Sequence, residues 1–196
     1  MKSIVSKIGK AFNNVKQWQL RPEVLMCDNV PKPMHGVAPR VVLGDKWWNA
    51  TRKATYKSTL YHCVACGVHK SKARGRQWLE AHELYKIDYK KGLMIYLESI
   101  PLCHFCHNYI HDGRMISLMA KDKFHYGKYK YIIRHGDRVL SNSGLKRLTY
   151  KEREDINIDR ILNNEMAEWS KWRLVIGKKK YKPKFKSDYA WQQAFK

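Results

Sequence analysis

The spacing of hydrophobic positions changes several times along this chain, and each change predicts a different element. Ile4, Val5, Ile8, Phe12 and Val15 recur at helical spacing with Lys2, Lys7, Lys10 and Lys16 between them. This is the pattern of a basic amphipathic helix, which either packs on a core or lies on a DNA or membrane surface. Over residues 20–49 the period is lost, and Pro22, Pro31, Pro33 and Pro39 with Gly36 and Gly44 predict an extended arm with turns. Residues 51–60 are expected to form a short helix. Loose alternation predicts a strand over 78–85, a turn over 88–92 and a return strand over 93–102, with a helix from about Phe105.

Further along, residues 114–123 read as more helix. Residues 129–133 and 138–140 flank His135-Gly136-Asp137 and read as a hairpin. Thr149 and Glu152 have the spacing of a capping box, opening a long helix that carries Ile156, Ile158, Ile161, Leu162, Met166, Trp169 and Trp172 and ends at Gly177. Such a stripe serves a core or a partner helix. Behind it Lys178, Lys179 and Lys180, with Lys182, Lys184 and Lys186 among Tyr181, Phe185, Tyr189 and Trp191, form a basic aromatic tail that either binds DNA or is solvated. The expected class is α+β: an arm over 1–60, a compact core over 61–114, a helix and hairpin over 115–148, and a helix with a basic tail over 149–196.

Charge narrows the partner. The chain has 39 Lys and Arg against 17 Asp and Glu, a formal charge of +22 over 196 residues, interleaved with 12 Tyr and 7 Trp. Solubility needs a net charge of only about 2 to 8, so a polyanion is expected, with phosphate contacts accompanied by stacking. The run Lys70, Lys72, Arg74, Arg76 is a candidate phosphate-binding loop, and Lys178 to Lys180 a second DNA contact. Arg40, Lys46, Trp47 and Trp48 either track a phosphate backbone or cover the core. No apolar run spans a bilayer and no signal peptide is visible, which predicts a cytoplasmic protein with no membrane partner. The motifs set no oligomeric state.

Two hooks, Cys63-Val-Ala-Cys66 and Cys103-His-Phe-Cys106, flank the predicted hairpin, and four thiolates at this spacing suit a tetrahedral structural zinc. A redox dithiol lacks a βαβ setting. The CxxCH of Cys103–His107 also matches a haem-attachment pattern, which would leave Cys63 and Cys66 without partners. Cys27 is left over as a free thiol. His107 and His111 are four apart on the predicted helix and project from one face, with His82 on the facing strand. Together they are candidates to hold a divalent ion that binds a scissile phosphate while an imidazole or carboxylate takes a proton from water. Glu80 and Asp88 are acidic residues that either lie near the ion or, for Asp88, form the turn.

These residues resemble the HNH endonucleases with a ββα-metal motif, in the subgroup stapled by two CxxC pairs. The resemblance covers about residues 61–114 and rests on Cys63-Val-Ala-Cys66-Gly67, Trp78-Leu-Glu-Ala-His82-Glu83 and Leu102-Cys103-His-Phe-Cys106-His107-Asn108-Tyr-Ile-His111. It implies a small zinc-stapled core with helical and extended basic arms, a structural zinc, one catalytic divalent ion (Mg, Mn, Ni or Zn), and nicking or double-strand cleavage of DNA. His82, Asn108 and His111 would be the H, N and H. The arm and the layout also look like proteins of bacteriophages, bacterial genomes and mobile elements. Many members carry two adjacent site residues on the first strand, a ligand and then a His base. Here either His82 is the base and a ligand is missing, for which Glu80 or Glu83 could substitute, or His82 binds metal and Glu83 is the base. The first register is favoured. Asn108 either orients the site or is a plain helix residue. The competing function is a DNA-binding protein that keeps the zinc fold without the chemistry.

Overall fold

The computed structural model describes residues 18–195, and the amphipathic helix predicted for 4–15 lies outside them. The expected hairpin is present as strands β1 (Leu79–Asp88) and β2 (Leu93–Cys103), followed directly by helix α2 (His104–Ile110). Asp88 closes the turn by accepting the Lys91 N–H at 2.9 Å, and Gly92 supplies a positive φ of 65°. The antiparallel register sets Glu80 opposite Leu102 and His82 opposite Ile100. It slips at Leu84/Tyr85, because Leu84 pairs with Glu98 and Tyr85 with Tyr96. Leu97 is therefore an extra, outward-pointing residue, 57% exposed, and the hairpin bends there.

The sheet is larger than the sequence predicts. Strands β3 (Arg173–Ile176) and β4 (Lys179–Tyr181) extend it in the order β1-β2-β3-β4, with β3 parallel to β2. The long helix predicted to run through Trp172 ends at Leu162 as α5 (Tyr150–Leu162). Its capping box forms as expected, but the helix buries no residue and leaves Ile158, Ile161 and Leu162 exposed. Trp172 is instead fully buried against Met34, Met94 and Leu174, with its indole N–H donating to the Ala167 carbonyl at 3.1 Å. Gly177 does not end a helix. It opens the two-residue turn that joins Ile176 to its partner Lys179, with a φ of 57° that favours glycine. The expected tail is thus partly built into the sheet and into helix α6 (Asp188–Phe195).

Two further expectations are corrected. Residues 20–49 are not an extended arm. Two short 3-10 turns (Pro22–Met26 and Lys32–Met34) bury Leu25 and Met34, and helix α1 (Pro39–Ser58) follows. Pro39 occupies the first helical turn, where its missing N–H costs nothing, and Gly44 (φ 79°, ψ 174°) kinks the helix. The residues read as breakers are a helix start and a bend. The hairpin predicted over 129–140 is one helix, α4 (Tyr126–Ser141). Tyr129, Ile132, Ile133, Gly136 and Leu140 follow a helical period, and Gly136 is there for space, since a Cβ would overlap the Tyr109 ring. Helices α2 and α4 can approach closely only with glycine at this point.

Helix α3 (Asp112–Met119) follows α2. Its buried Asp112 accepts from Arg147 at 2.6 Å and from Arg153 at 2.6 and 2.7 Å, fastening the start of α5 to the core. Among the described residues no helix is long and apolar enough to cross a membrane.

Candidate metal centre

The thiol site forms where the chain turns sharply before and after the hairpin. Gly67 takes a φ of 75° immediately after Cys66, and the Gly67 N–H donates to the Cys63 carbonyl at 2.8 Å, folding the first hook. At the second hook Cys103 caps α2, its sulfur accepting the Cys106 N–H at 3.5 Å. The four sulfurs of Cys63, Cys66, Cys103 and Cys106 lie within 4.8 Å of one another. All five cysteines are free thiols. Hydrogen bonds from Cys106, Cys63 and Cys66 pull the Cys103 thiol far down, while contact with Cys103 pushes Cys66 and Cys106 up. Burial opposes ionisation of the Cys63 thiol, but its hydrogen bonds with Cys106 and Cys66 lower it as well. The donor set and its burial fit a structural metal such as zinc.

The imidazole cluster stands on the same secondary elements. His82 comes from β1, His107 from α2 and His111 from the end of that helix. One donor atom from each lies within 4.8 Å of the other two, and the ring centroids are 4.7 to 5.5 Å apart. His82 is 8% exposed. Burial, then the neighbouring His111 and His107, hold its pKa well below the ordinary value. His111 is lowered to about 3, by burial first and then by His107. Both rings are therefore neutral near pH 7 and offer lone pairs.

Glu80 and His82 share one face of β1 by the period of two. The Glu80 carboxylate accepts from His104 Nδ1 at 2.7 Å and from His107 Nδ1 at 2.5 Å, which leaves Nε2 of His107 as its free donor atom. Burial pushes the Glu80 carboxyl up, but the hydrogen bonds from His107 and His104 outweigh it and hold it at about 2. Asn108, a candidate orienting residue, donates to the His104 carbonyl at 2.8 Å and so belongs to the chain of contacts behind Glu80. Glu83 points away from the cluster. It is 6% exposed, and Arg40 of α1 donates to its two oxygens at 3.0 and 2.9 Å. Burial raises the Glu83 carboxyl, with Arg40 opposing.

Three contacts of the centre are not foreseen in the sequence. Arg40 was expected on a phosphate backbone or over the core and pairs with Glu83. The Cys27 sulfur is 3.9 Å from His82 Nε2. His135 brings Nε2 to 3.3 Å from the Cys106 sulfur. Only the third left a trace in the sequence, the helical period around Gly136. The basic candidates Lys70, Lys72, Arg74, Arg76, Lys178, Lys179 and Lys180 are all exposed. Arg76 lies 5.0 Å from the centre of the Trp78 ring. Comparison with protein-family models, curated proteins and solved structures found no match.

Proposed function

We propose that this chain is a metal-dependent endonuclease of the HNH type that hydrolyses DNA phosphodiester bonds. The observation that carries this reading is the convergence of three largely buried imidazoles beside a complete four-thiol site. A scaffold that only binds DNA needs exposed Lys and Arg, not a second set of neutral nitrogen donors. His82, His107 and His111 would hold the divalent ion, with Glu80 fixing His107 by its Nδ1. When bound, such an ion polarises a phosphate oxygen and stabilises the leaving 3′ oxygen. Imidazole donors suit zinc or nickel better than magnesium or manganese, which prefer oxygen.

The position of His82 within the trio supports a ligand role for His82, the reverse of the preference drawn from sequence. Glu83, on the opposite face of β1 and paired with Arg40, is out of reach of a water on that ion and is not retained as the base. The exposed basic groups at 70–76 and 178–180 would contact phosphates along the duplex.

The test is cleavage of supercoiled plasmid with Mg²⁺, Mn²⁺, Ni²⁺ or Zn²⁺, comparing wild type with His82→Ala and measuring DNA binding in parallel over a range of salt. Metal-dependent nicking or linearisation by the wild type alone, with binding that falls steeply with salt in both proteins, supports the enzyme. Salt-sensitive binding without cleavage in either protein would favour a zinc-fold DNA-binding module.

A further inference from the structure

We propose that His135 is a positioning residue of the thiol site: it donates an N–H to the Cys106 sulfur and so strengthens the hold of the four sulfurs on a metal ion. This inference is independent of whether the imidazole cluster hydrolyses DNA.

The distances carry it. His135 Nε2 is 3.3 Å from the Cys106 sulfur and 4.0 Å from the Cys103 sulfur, while the Cys66 and Cys103 sulfurs are themselves 3.8 Å apart. The nitrogen thus stands as close to two of the thiols as thiols stand to each other. At 3.3 Å from the Cys106 sulfur the imidazole nitrogen is at hydrogen-bond distance from a thiolate, and it stands beside the four-sulfur group rather than within it.

Its backbone is also held in place. The next residue, Gly136, lies against the Tyr109 ring with no room for a side chain. Asp137 then accepts the Tyr109 hydroxyl at 2.8 Å, and Phe105 meets the His135 ring edge-on with centroids 5.6 Å apart. Helix α4 therefore presents this imidazole to the sulfurs as a fixed element. Four thiolates around a dication leave excess negative charge, and an N–H donor on Cys106 disperses it. A ligand-contacting hydrogen-bond partner of this kind typically contributes about 10- to 100-fold in metal affinity.

Zinc content and chelator competition on the full-length chain, in a His82→Ala/His111→Ala background that silences the imidazole cluster, test this. With all four thiols intact, His135→Ala should surrender zinc to a chelator at about 10- to 100-fold lower chelator concentration, and His135→Gln, which keeps an N–H, should restore retention. Unchanged retention in His135→Ala, or a His135→Gln variant no better than His135→Ala, overturns the assignment.

Discussion

The thiol and imidazole sites share one short helix and one hairpin, yet they differ in how they are closed. Cys103 and Cys106 begin α2, and His107 and His111 continue it to its end. Cys63, Cys103 and Cys106 are 0 to 2% exposed, with backbone folded around them on both sides. His107 and His111 keep part of their surface in solvent. Structural zinc sites are closed by four protein ligands, whereas reactive sites supply three and leave a position open. Three of the four sulfurs are sealed from solvent, whereas two of the three imidazoles are partly open, as the proposed division into a fastening and a reactive site requires.

The comparison is broken most completely at the thiols. Cys63→Ser should lose zinc and unfold the hairpin and α2 together, because binding and folding are coupled in a site of this size. Metal analysis with circular dichroism checks this, and a stable zinc-free variant would contradict it. Substitutions at the other site should leave the fold intact. On the endonuclease reading, His82→Ala is expected to lose both the ion at the imidazoles and cleavage, while Glu83→Gln, on the opposite face of β1 and paired with Arg40, keeps both. Calorimetric metal titration beside a plasmid assay checks the two, and loss of cleavage with ion binding intact in Glu83→Gln would restore Glu83 as the base. A smaller effect is expected at Glu80. Glu80→Gln should weaken metal binding at the imidazole site about 10- to 100-fold, since it removes the carboxylate that orients His107, without changing zinc at the thiols.

Acid should distinguish the sites by degrees. His111 titrates at about 3 in the folded chain and near 6.5 when unfolded. Below about pH 6.5 the unfolded state therefore binds a proton that the folded state refuses. The stability this group contributes is fully present above about 6.5 and is lost as pH falls toward 3. His82 shifts in the same direction. Glu80, at about 2, adds a loss only below its unfolded value near 4.5. Urea melts of protein with zinc at the thiols only should lose up to roughly 1.4 kcal/mol per pH unit for each linked imidazole, and His111→Asn should flatten the slope between pH 7 and 5.

Much of the centre was legible in the chain because its information is local. CxxC spacing, His107 and His111 four apart, and the hairpin alternation are satisfied by neighbours within a few residues, so the predicted strand, return strand and helix match β1, β2 and α2 closely. The Thr149–Glu152 capping box was legible for the same reason. Gly136 and Gly177 misled because glycine admits several backbone states. One meets an aromatic ring across a helix pair and the other turns between strands, and both depend on partners distant in sequence. Pro39 misled because a proline that breaks a helix interior also starts one.

Sequence by itself determined the donor types, their spacing and the basic charge, since these are properties of the covalent chain and of short-range geometry. Only the tertiary structure decided which donors meet. It aimed Glu80 at His107 and Glu83 at Arg40 although they are three residues apart, since a strand sends alternate side chains to opposite faces and each face has its own helix. It also brought His135 to Cys106 across 29 residues, through a helix contact that only a missing side chain allows.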